Sequence, residues 1–163
     1  MTQELVKELF EYKEDGHFYW KKPTTNSIKL GQIAGSICFK GYRQIKINGK
    51  FYKEHRLAWF YHYGVFPINQ IDHINNIKTD NRINNLREAT NAQNQGNKVK
   101  RKGTSSKFKG CSWSKKHQKW RVRITINKKT KHLGCFHEES AAAQAYNEAA
   151  IKHFGEFALI NQI

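Results

Sequence analysis

The spacing of apolar and polar residues predicts short strands alternating with helices. Residues 2–12 have the periodicity of an amphipathic helix. Alternating, strand-like runs follow it at residues 17–21, 32–38, 42–47 and 50–53. The last two runs flank Asn48-Gly49, a pair typical of a hairpin turn. Residues 55–64, HRLAWFYHYG, then have the pattern of a second helix, which Gly64 would end.

The middle of the chain predicts two strands, a loop and a helix. The strands are expected at residues 70–73 and 85–89, with the polar segment NNIKTDNR between them. Thr90 and Gln93 fit the capping box T-x-x-Q, so a helix is expected to begin at Thr90. Asn94 would then lie in the first turns of that helix.

The last third predicts a small sheet with one covering helix. FKGCSW, KWRVRITIN and TKHLGCF read as strands, and the second alternates apolar with basic residues, as in a sheet with one face buried. Residues 139–155 are Ala-rich and helical in pattern. We therefore expect an α+β protein with domains at 1–97 and 107–163, joined by a basic linker at 98–106.

Charge makes nucleic acid the expected partner. The net charge is +16, and residues 89–137 contain 14 Lys and Arg but no Asp or Glu. Such a segment repels itself unless a polyanion neutralises it. Trp, Phe and β-branched residues are interleaved with the charges, which a disordered basic tail would lack. Phosphate contacts would supply affinity through counterion release.

The cysteines and the apolar runs indicate the cellular compartment and the kind of metal site to expect. The three cysteines form no CxxC pair, which disfavours a cysteine zinc site. Cys111 and Cys135 fall in predicted strands and are expected to act as small apolar fillers. No run is long and apolar enough for a membrane span, and the N-terminus lacks a signal-peptide core. A cytoplasmic protein, in a bacterial host or encoded by a phage, is expected.

Asp72 and His73 are the leading candidates for chemistry. Histidine accepts a proton near neutral pH because its unperturbed pKa is about 6.5. A carboxylate combined with an asparagine amide oxygen forms a hard-oxygen set that suits Mg²⁺ or Mn²⁺ better than zinc. Two protein ligands would leave positions for water and phosphate oxygens. Asn85 and Asn94 are the candidate asparagines.

The words HRLAW, IDHIN, KTDNR, NNLREAT and QN resemble the HNH, or ββα-metal, nuclease family. The resemblance is closest to the form found in phage and mobile-intron homing endonucleases. It implies that Asp72 and Asn94 are metal ligands and that His73 is the general base. It also implies that Asn85 holds the loop and orients the backbone of His73.

Several assignments have open alternatives. Eight asparagines lie from residue 75 to residue 97, so spacing alone does not select among them. The alternatives are Asn84 for Asn85, and Asn91 or Asn97 for Asn94. Arg82 or Arg87 is a candidate phosphate clamp, and a salt bridge is the competing interpretation. His55 is expected to be a packed residue at a helix start.

FKGCSW, KWRVRI, HLGCF and AAAQAYNEAAIKHFGEFALIN resemble the Apetala-two/ERF DNA-binding domain. The resemblance implies a three-stranded sheet that enters the major groove, with the helix behind it. The outward-facing, DNA-contacting positions it implies are Lys109, Ser112, Arg121, Arg123, Lys131 and His132, and the linker adds Lys98, Lys100, Arg101 and Lys102. His132 replaces the usual Trp and Ser112 a common Arg, so base preference does not carry over.

These features predict a sequence-directed DNA endonuclease, homing or phage-encoded, that nicks or cuts double-stranded DNA with one divalent metal. The alternatives are a DNA-binding transcription regulator that does not cleave, and an RNA-binding or RNA-cleaving protein. A monomer is compatible with this prediction, and the sequence leaves the oligomeric state open. The first 50 residues resemble the leader that precedes such motifs, and they suggest no activity of their own.

Overall fold

The computed structural model describes residues 1–100 and 103–163. Contacts divide the chain into two units, Met1–Glu88 and Ala89–Ile163. Within the described residues the strands form small antiparallel sheets and are accompanied by four α-helices, so the predicted mixture of helices and antiparallel sheets is confirmed. Arg101 and Lys102, both predicted DNA contacts, lie outside the described residues.

The first unit combines three small sheets with two helices. Its elements are α1 (Gln3–Leu9), β1 (Phe10–Tyr12), β2 (Phe18–Trp20), β3 (Ser36–Ile37), β4 (Arg43–Ile47), β5 (Lys50–Lys53), α2 (Glu54–Tyr63), β6 (Gln70–His73), a 3-10 turn (Ile83–Asn85) and β7 (Leu86–Ala89). β6 pairs with β7, which ends at the division between the units.

The first helix is shorter than predicted. The predicted helix 2–12 ends at Leu9, because Phe10–Tyr12 pairs antiparallel with Phe18–Trp20. Phe10 and Phe18 are both buried, and their rings meet edge to face at 5.8 Å. Apolar pairing across the hairpin therefore overrides the local helical pattern.

The second sheet has the order β3-β4-β5. The predicted strand at 32–38 shrinks to Ser36–Ile37, with an isolated bridge between Tyr19 and Ile33. β4 and β5 are joined by Asn48 and Gly49 at φ values of 47° and 79°, the left-handed pair that a two-residue hairpin requires.

Helix α2 supplies much of the first core. Leu57, Ala58 and Phe60 are buried against Ile45 of β4, and the helix ends at Gly64 with φ 74°. The N-terminal residue of this helix, Glu54, is fully buried even though it is a carboxylate. A charge in that position requires several donors around it.

The second unit contains α3 (Asn91–Asn97), β8 (Cys111–Ser114), β9 (Lys119–Ile126), β10 (Lys129–Phe136), α4 (Glu139–Phe154) and a 3-10 turn (Gly155–Phe157). The capping box that begins α3 is present, with Thr90 and Gln93 bonded reciprocally. Gly96 packs so closely on Phe154 that a Cβ there would lie 2.6 Å from the ring. Helix α3 thus packs on α4, and the division between units precedes it rather than following at the predicted linker.

The three C-terminal strands form an antiparallel sheet in the order β10-β9-β8, with α4 packed on it. Val122 and Ile124 are buried, whereas the alternate residues Arg123 and Thr125 are exposed, as the alternation predicted. Cys111 is buried, but Cys135 is exposed because it pairs with Arg121 on the other face, so its predicted filler role is wrong. Among the helices described here, none is long and apolar enough to span a bilayer.

Candidate active site

Asp72 and His73 end strand β6 and are both buried, at 5% and 6% exposure. Arg87 Nε, on the neighbouring strand β7, donates to Asp72 Oδ2 at 3.0 Å. The arginine balances the buried carboxylate charge and fixes the direction of its side chain. In this structure Arg87 is therefore a partner of Asp72, which corresponds to the salt-bridge interpretation.

The loop after His73 is closed by Asn85. The Asn85 backbone oxygen accepts from the Ile74 N–H at 3.0 Å, and its Oδ1 accepts from the Asn75 N–H at 3.1 Å. Its Nδ2 donates to the carbonyl of Asp80 at 2.8 Å. Asn85 is buried, whereas Asn84 is exposed. The geometry therefore favours Asn85 over Asn84 as the residue that holds the loop.

A second clamp stabilises the same loop. Arg82 donates to both carboxylate oxygens of Asp80, at 2.7 and 2.6 Å, and this contact lowers the pKa of Asp80 to about 2. Asp80 also accepts from Asn75 Nδ2 at 2.6 Å. Both candidate phosphate clamps, Arg82 and Arg87, are thus engaged by carboxylates.

The ring of His73 is held by a side chain that the sequence did not single out. His73 Nε2 lies 2.9 Å from Asn81 Oδ1, and Asn81 Nδ2 donates to Glu54 Oε2 at 2.6 Å. The backbone oxygen of Asn81 accepts from the Tyr12 hydroxyl at 2.8 Å. Residues from the leader, from α2 and from the loop therefore meet behind His73.

Glu54 lies at the centre of this buried network. Its Oε1 accepts from the Phe18 N–H at 3.3 Å, and His17 Nδ1 lies 3.1 Å from Oε2. Arg43 Nε is 3.7 Å from Oε2, an ion pair rather than a hydrogen bond. The pKa of Glu54 is raised above its ordinary value, chiefly by burial, and the contacts with His17, Phe18 and Arg43 oppose that shift.

Two further rings contact His73. His55 meets it edge to face at 5.1 Å between ring centroids, and the Tyr42 ring lies at 6.0 Å. Burial lowers the pKa of His73 below its usual range, although its contact with Asn81 raises it. His55 is buried at the start of α2, as expected, and burial lowers its pKa to about 3. Both rings are therefore uncharged at neutral pH, and a neutral His73 has a lone pair available as a base.

The side chains around Asp72 suit a sparse oxygen site rather than a closed cage. Within residues 1–100 and 103–163, no group of three or more His, Cys, Asp and Glu could hold a metal ion. A hard divalent cation needs only one or two protein oxygens when water and phosphate complete its shell. A carboxylate such as Asp72 and an asparagine amide oxygen fit that donor chemistry.

Asn94 is placed on α3, in the second unit, and is half-buried. Its backbone N–H donates to Thr90 O at 3.0 Å. Of its alternatives on the same helix, Asn91 is exposed and Asn97 is buried. Ligation by Asn94 remains a prediction from the sequence.

The outward face of the C-terminal sheet carries four of the predicted DNA contacts, Ser112, Arg121, Arg123 and His132. Ser112 and Cys135 flank Arg121, and His132 pairs with Arg123. Lys131 pairs with Ile124, a core residue, so it belongs to the opposite face and is exposed because β10 is an edge strand. Its predicted outward direction is therefore wrong.

Lys109 also departs from the prediction of an outward direction. Its Nζ donates to the Gly96 carbonyl at 2.6 Å and lies 5.9 Å from the centre of the Tyr146 ring. Burial lowers its pKa to about 8. Lys109 anchors the C-terminal end of α3 in this structure. In the predicted linker, Lys98 is exposed and Lys100 half-buried.

Glu54, Asn81 and His17 are the site residues that sequence reasoning missed. Asn81 lies inside the motif word KTDNR, and Glu54 immediately precedes HRLAW. A signal for Glu54 was its place next to an apolar helical face, where an acidic residue requires a buried partner. His17 had no signal, because its partner is 37 residues away.

Comparison with known proteins covers the segment that carries Asp72, His73, Asn85 and Asn94. Residues 52–95 match the family model described as HNH endonuclease. The chain is 38% identical over 93 residues to an uncharacterized HNH endonuclease of Acanthamoeba polyphaga mimivirus, over 57% of this chain and 47% of the relative. The chain thus spans about half the length of that curated relative. No solved structure matches the chain.

Proposed function

We propose that this protein is a metal-dependent nuclease that hydrolyses phosphodiester bonds in double-stranded DNA. The observation that carries the proposal is the buried Asp72–His73 pair at the end of β6, inside the segment that matches HNH endonucleases. A buried histidine that is neutral at pH 7 can act as a base, and the buried carboxylate beside it can bind a cation.

In the proposed reaction His73 takes a proton from the water that attacks phosphorus. Asp72 and Asn94 would hold Mg²⁺ or Mn²⁺, which supplies charge stabilisation for the phosphate and the leaving oxygen when bound. Arg87 keeps the Asp72 carboxylate in position. Asn85 fixes the loop that follows the base, through its bonds to Asn75 and Asp80.

The outward face of the C-terminal sheet is the proposed DNA-binding surface of the second unit. Arg123 is exposed there, and the buried Arg121 Nε has no hydrogen-bond partner within the described part of the chain. The guanidinium groups of two arginines on one face can donate to a phosphate or a base edge that approaches that face. We propose that Arg121, Arg123 and His132, with Ser112, direct the enzyme to its site in a homing or phage-type role.

The β3–β5 sheet of the first unit offers a second cationic surface. Residues 39–53 contain five Lys and Arg and no acidic residue. Lys46 is exposed, pairs with Phe51, and lies over its ring at 5.7 Å. Phe39, in the turn between β3 and β4, is 95% exposed and its ring faces Lys40. Exposed aromatic rings among cations are suited to nucleic acid, where rings stack on bases and cations bind phosphates.

The direct test is cleavage of supercoiled plasmid that carries a cognate site. We expect nicking or linearisation that requires Mg²⁺ or Mn²⁺, stops with EDTA, and is lost in His73→Ala. His153→Ala, an exposed histidine on α4, is the matched control and should cleave normally. Cleavage that persists in His73→Ala would remove His73 from its role.

The substrate class has its own test. Duplex DNA and structured RNA of equal length compete for the protein at fixed salt, and we expect the DNA to be bound and cut in preference. Preferential cutting of RNA would replace DNA as the substrate. A footprint on DNA with no metal-dependent strand break would instead favour a regulator.

A further inference from the structure

We propose that Glu54 and Asn81 are positioning residues that hold His73 as its Nε2–H tautomer, which leaves Nδ1 as the proton acceptor. The chemical importance of Nδ1 rests on the nuclease function proposed above. The tautomer itself follows from three buried side chains and is measurable without metal or DNA.

The contacts of the Glu54 carboxyl group indicate that it is ionised. The Phe18 backbone N–H can only donate, and it points to Glu54 Oε1 at 3.3 Å. The Arg43 guanidinium, always positive, lies 3.7 Å from Oε2. His17 Nδ1 is 3.1 Å from the same oxygen. An ionised carboxylate is the form that accepts from the Phe18 N–H and attracts the Arg43 cation, and it has no proton to donate.

The ionised Glu54 determines the orientation of the Asn81 amide. Asn81 is fully buried, and one end of its amide is 2.6 Å from Glu54 Oε2. Only the NH₂ end can face an ionised carboxylate, because the other end would set two acceptors against each other. The assignment of oxygen and nitrogen in Asn81 is therefore fixed by its partner.

The Asn81 amide in turn determines which nitrogen of the His73 ring carries the hydrogen. With its NH₂ group toward Glu54, Asn81 presents Oδ1 to His73 Nε2 at 2.9 Å. An amide oxygen only accepts, so Nε2 must carry the hydrogen. Nδ1 of the neutral ring then holds the lone pair. A base locked in the opposite tautomer has no lone pair for the water, a defect that costs an enzyme up to about 10⁴-fold in rate.

The test is the ring nitrogen spectrum of the full chain, labelled with ¹⁵N, at pH 8 without metal or DNA. Long-range ¹H–¹⁵N correlations distinguish the two tautomers of each of the eight histidines. The His73 signals are those that disappear in His73→Gln. We expect only the Nε2–H pattern, with a ring N–H that burial protects from exchange. An Nδ1–H pattern in the wild type overturns the proposal.

Glu54→Gln tests the source of the lock, because it keeps the shape and removes the charge. A glutamine accepts or donates equally well, so the Asn81 amide is free to turn and a fraction of Nδ1–H should appear at His73. Cleavage at saturating metal should fall about 10- to 100-fold, as when a general base is partly lost. DNA affinity should not change.

Ile45→Val is the matched control. Ile45 is fully buried in the core of the first unit, and the lost methyl group costs stability without removing a hydrogen bond or a charge from the three side chains. Its His73 tautomer and cleavage rate should equal those of the wild type. If Glu54→Gln does not fold, the wild-type spectrum and the protected ring N–H still decide the proposal.

The outcomes separate this proposal from the proposed function. An Nε2–H ring that responds to Glu54→Gln, in a protein that cleaves nothing, supports the lock and refutes the nuclease. Cleavage that depends on His73, with a tautomer indifferent to Glu54→Gln, supports the nuclease and refutes the lock.

Discussion

His55 should make the first unit sensitive to acid, and His55→Phe should remove that sensitivity. The ring is 8% exposed, and its buried Nδ1 has no hydrogen-bond partner among the described residues. Burial, followed by the nearby charges of His73, Arg56 and Lys53, lowers its pKa from 6.5 to about 3. Folding therefore favours the neutral ring, which phenylalanine imitates in shape and in charge.

The sign and the size of the effect follow from linkage. Between pH 3 and 6.5 the unfolded chain binds a proton at His55 that the folded chain does not, so stability falls as pH falls through this range. The full displacement of the pKa corresponds to roughly 5 kcal/mol at ~1.4 kcal/mol per pH unit. Between pH 7 and pH 4 the loss should be roughly 3 kcal/mol. Above pH 6.5 His55 does not contribute to the change of unfolding free energy with pH.

The assay is urea unfolding of the wild type and of His55→Phe at pH 7, 5 and 4. Amide signals of Ile45 and Leu57 report on the first unit separately from the second. The wild type should lose roughly 3 kcal/mol more than the variant over this range, because other acidic groups titrate alike in both. Parallel pH curves, or a His55 ring that titrates near 6.5, would refute the reasoning.

Three further predictions concern single contacts. Gly110→Ala should destabilise the second unit by at least about 3 kcal/mol in thermal unfolding, because its φ is +81° and a Cβ would lie 2.0 Å from the Tyr146 ring. The control is Gly103→Ala, which should cost only about 1 kcal/mol because Gly103 has φ +78° but open space around it. Asn85→Ala should cost about 1–3 kcal/mol and speed amide exchange of Asn75, whereas the exposed Asn84→Ala should change neither. Arg123→Ala should reduce the slope of log binding constant against log salt concentration by ~0.9. Lys152, exposed in the last turn of α4, is the control, and Lys152→Ala should leave the slope unchanged. An equal slope in both variants would contradict the proposed binding face.

Local signals in the sequence predicted the elements that neighbouring residues determine. Asn48-Gly49 predicted its hairpin, and Thr90 with Gln93 predicted the start of α3, because both depend on contacts within a few residues. The helix at residues 2–12 was overestimated, since the strand pairing of Phe10–Tyr12 depends on residues farther along the chain. Strand pairing leaves no periodic trace in the segment itself.

The same distinction holds within the site. Asp72, His73 and Asn85 were predicted from the sequence because they belong to one short motif, and Asn85 closes a loop only 12 residues long. The partners of Asn81 and His17 could not be found by spacing, because the contacts to Glu54 join residues 27 and 37 positions apart. Lys131 and His132 show a finer limit: they are consecutive in a strand, so only one of them faces outward.

The leader is therefore part of the site, although its sequence suggests no chemistry. Glu54 is fully buried, and two of the groups around it, the Phe18 N–H and His17, come from β2 and the residue before it. Gly16 allows this approach: its φ is +85°, and a Cβ there would lie 2.3 Å from the Arg82 backbone nitrogen. A buried carboxylate that loses its donors is strongly destabilising, so the ββ hairpin of the leader and the loop that carries Asn81 depend on each other. Residues that hold the network behind His73 in place thus begin well before the 52–95 segment that matches HNH endonucleases.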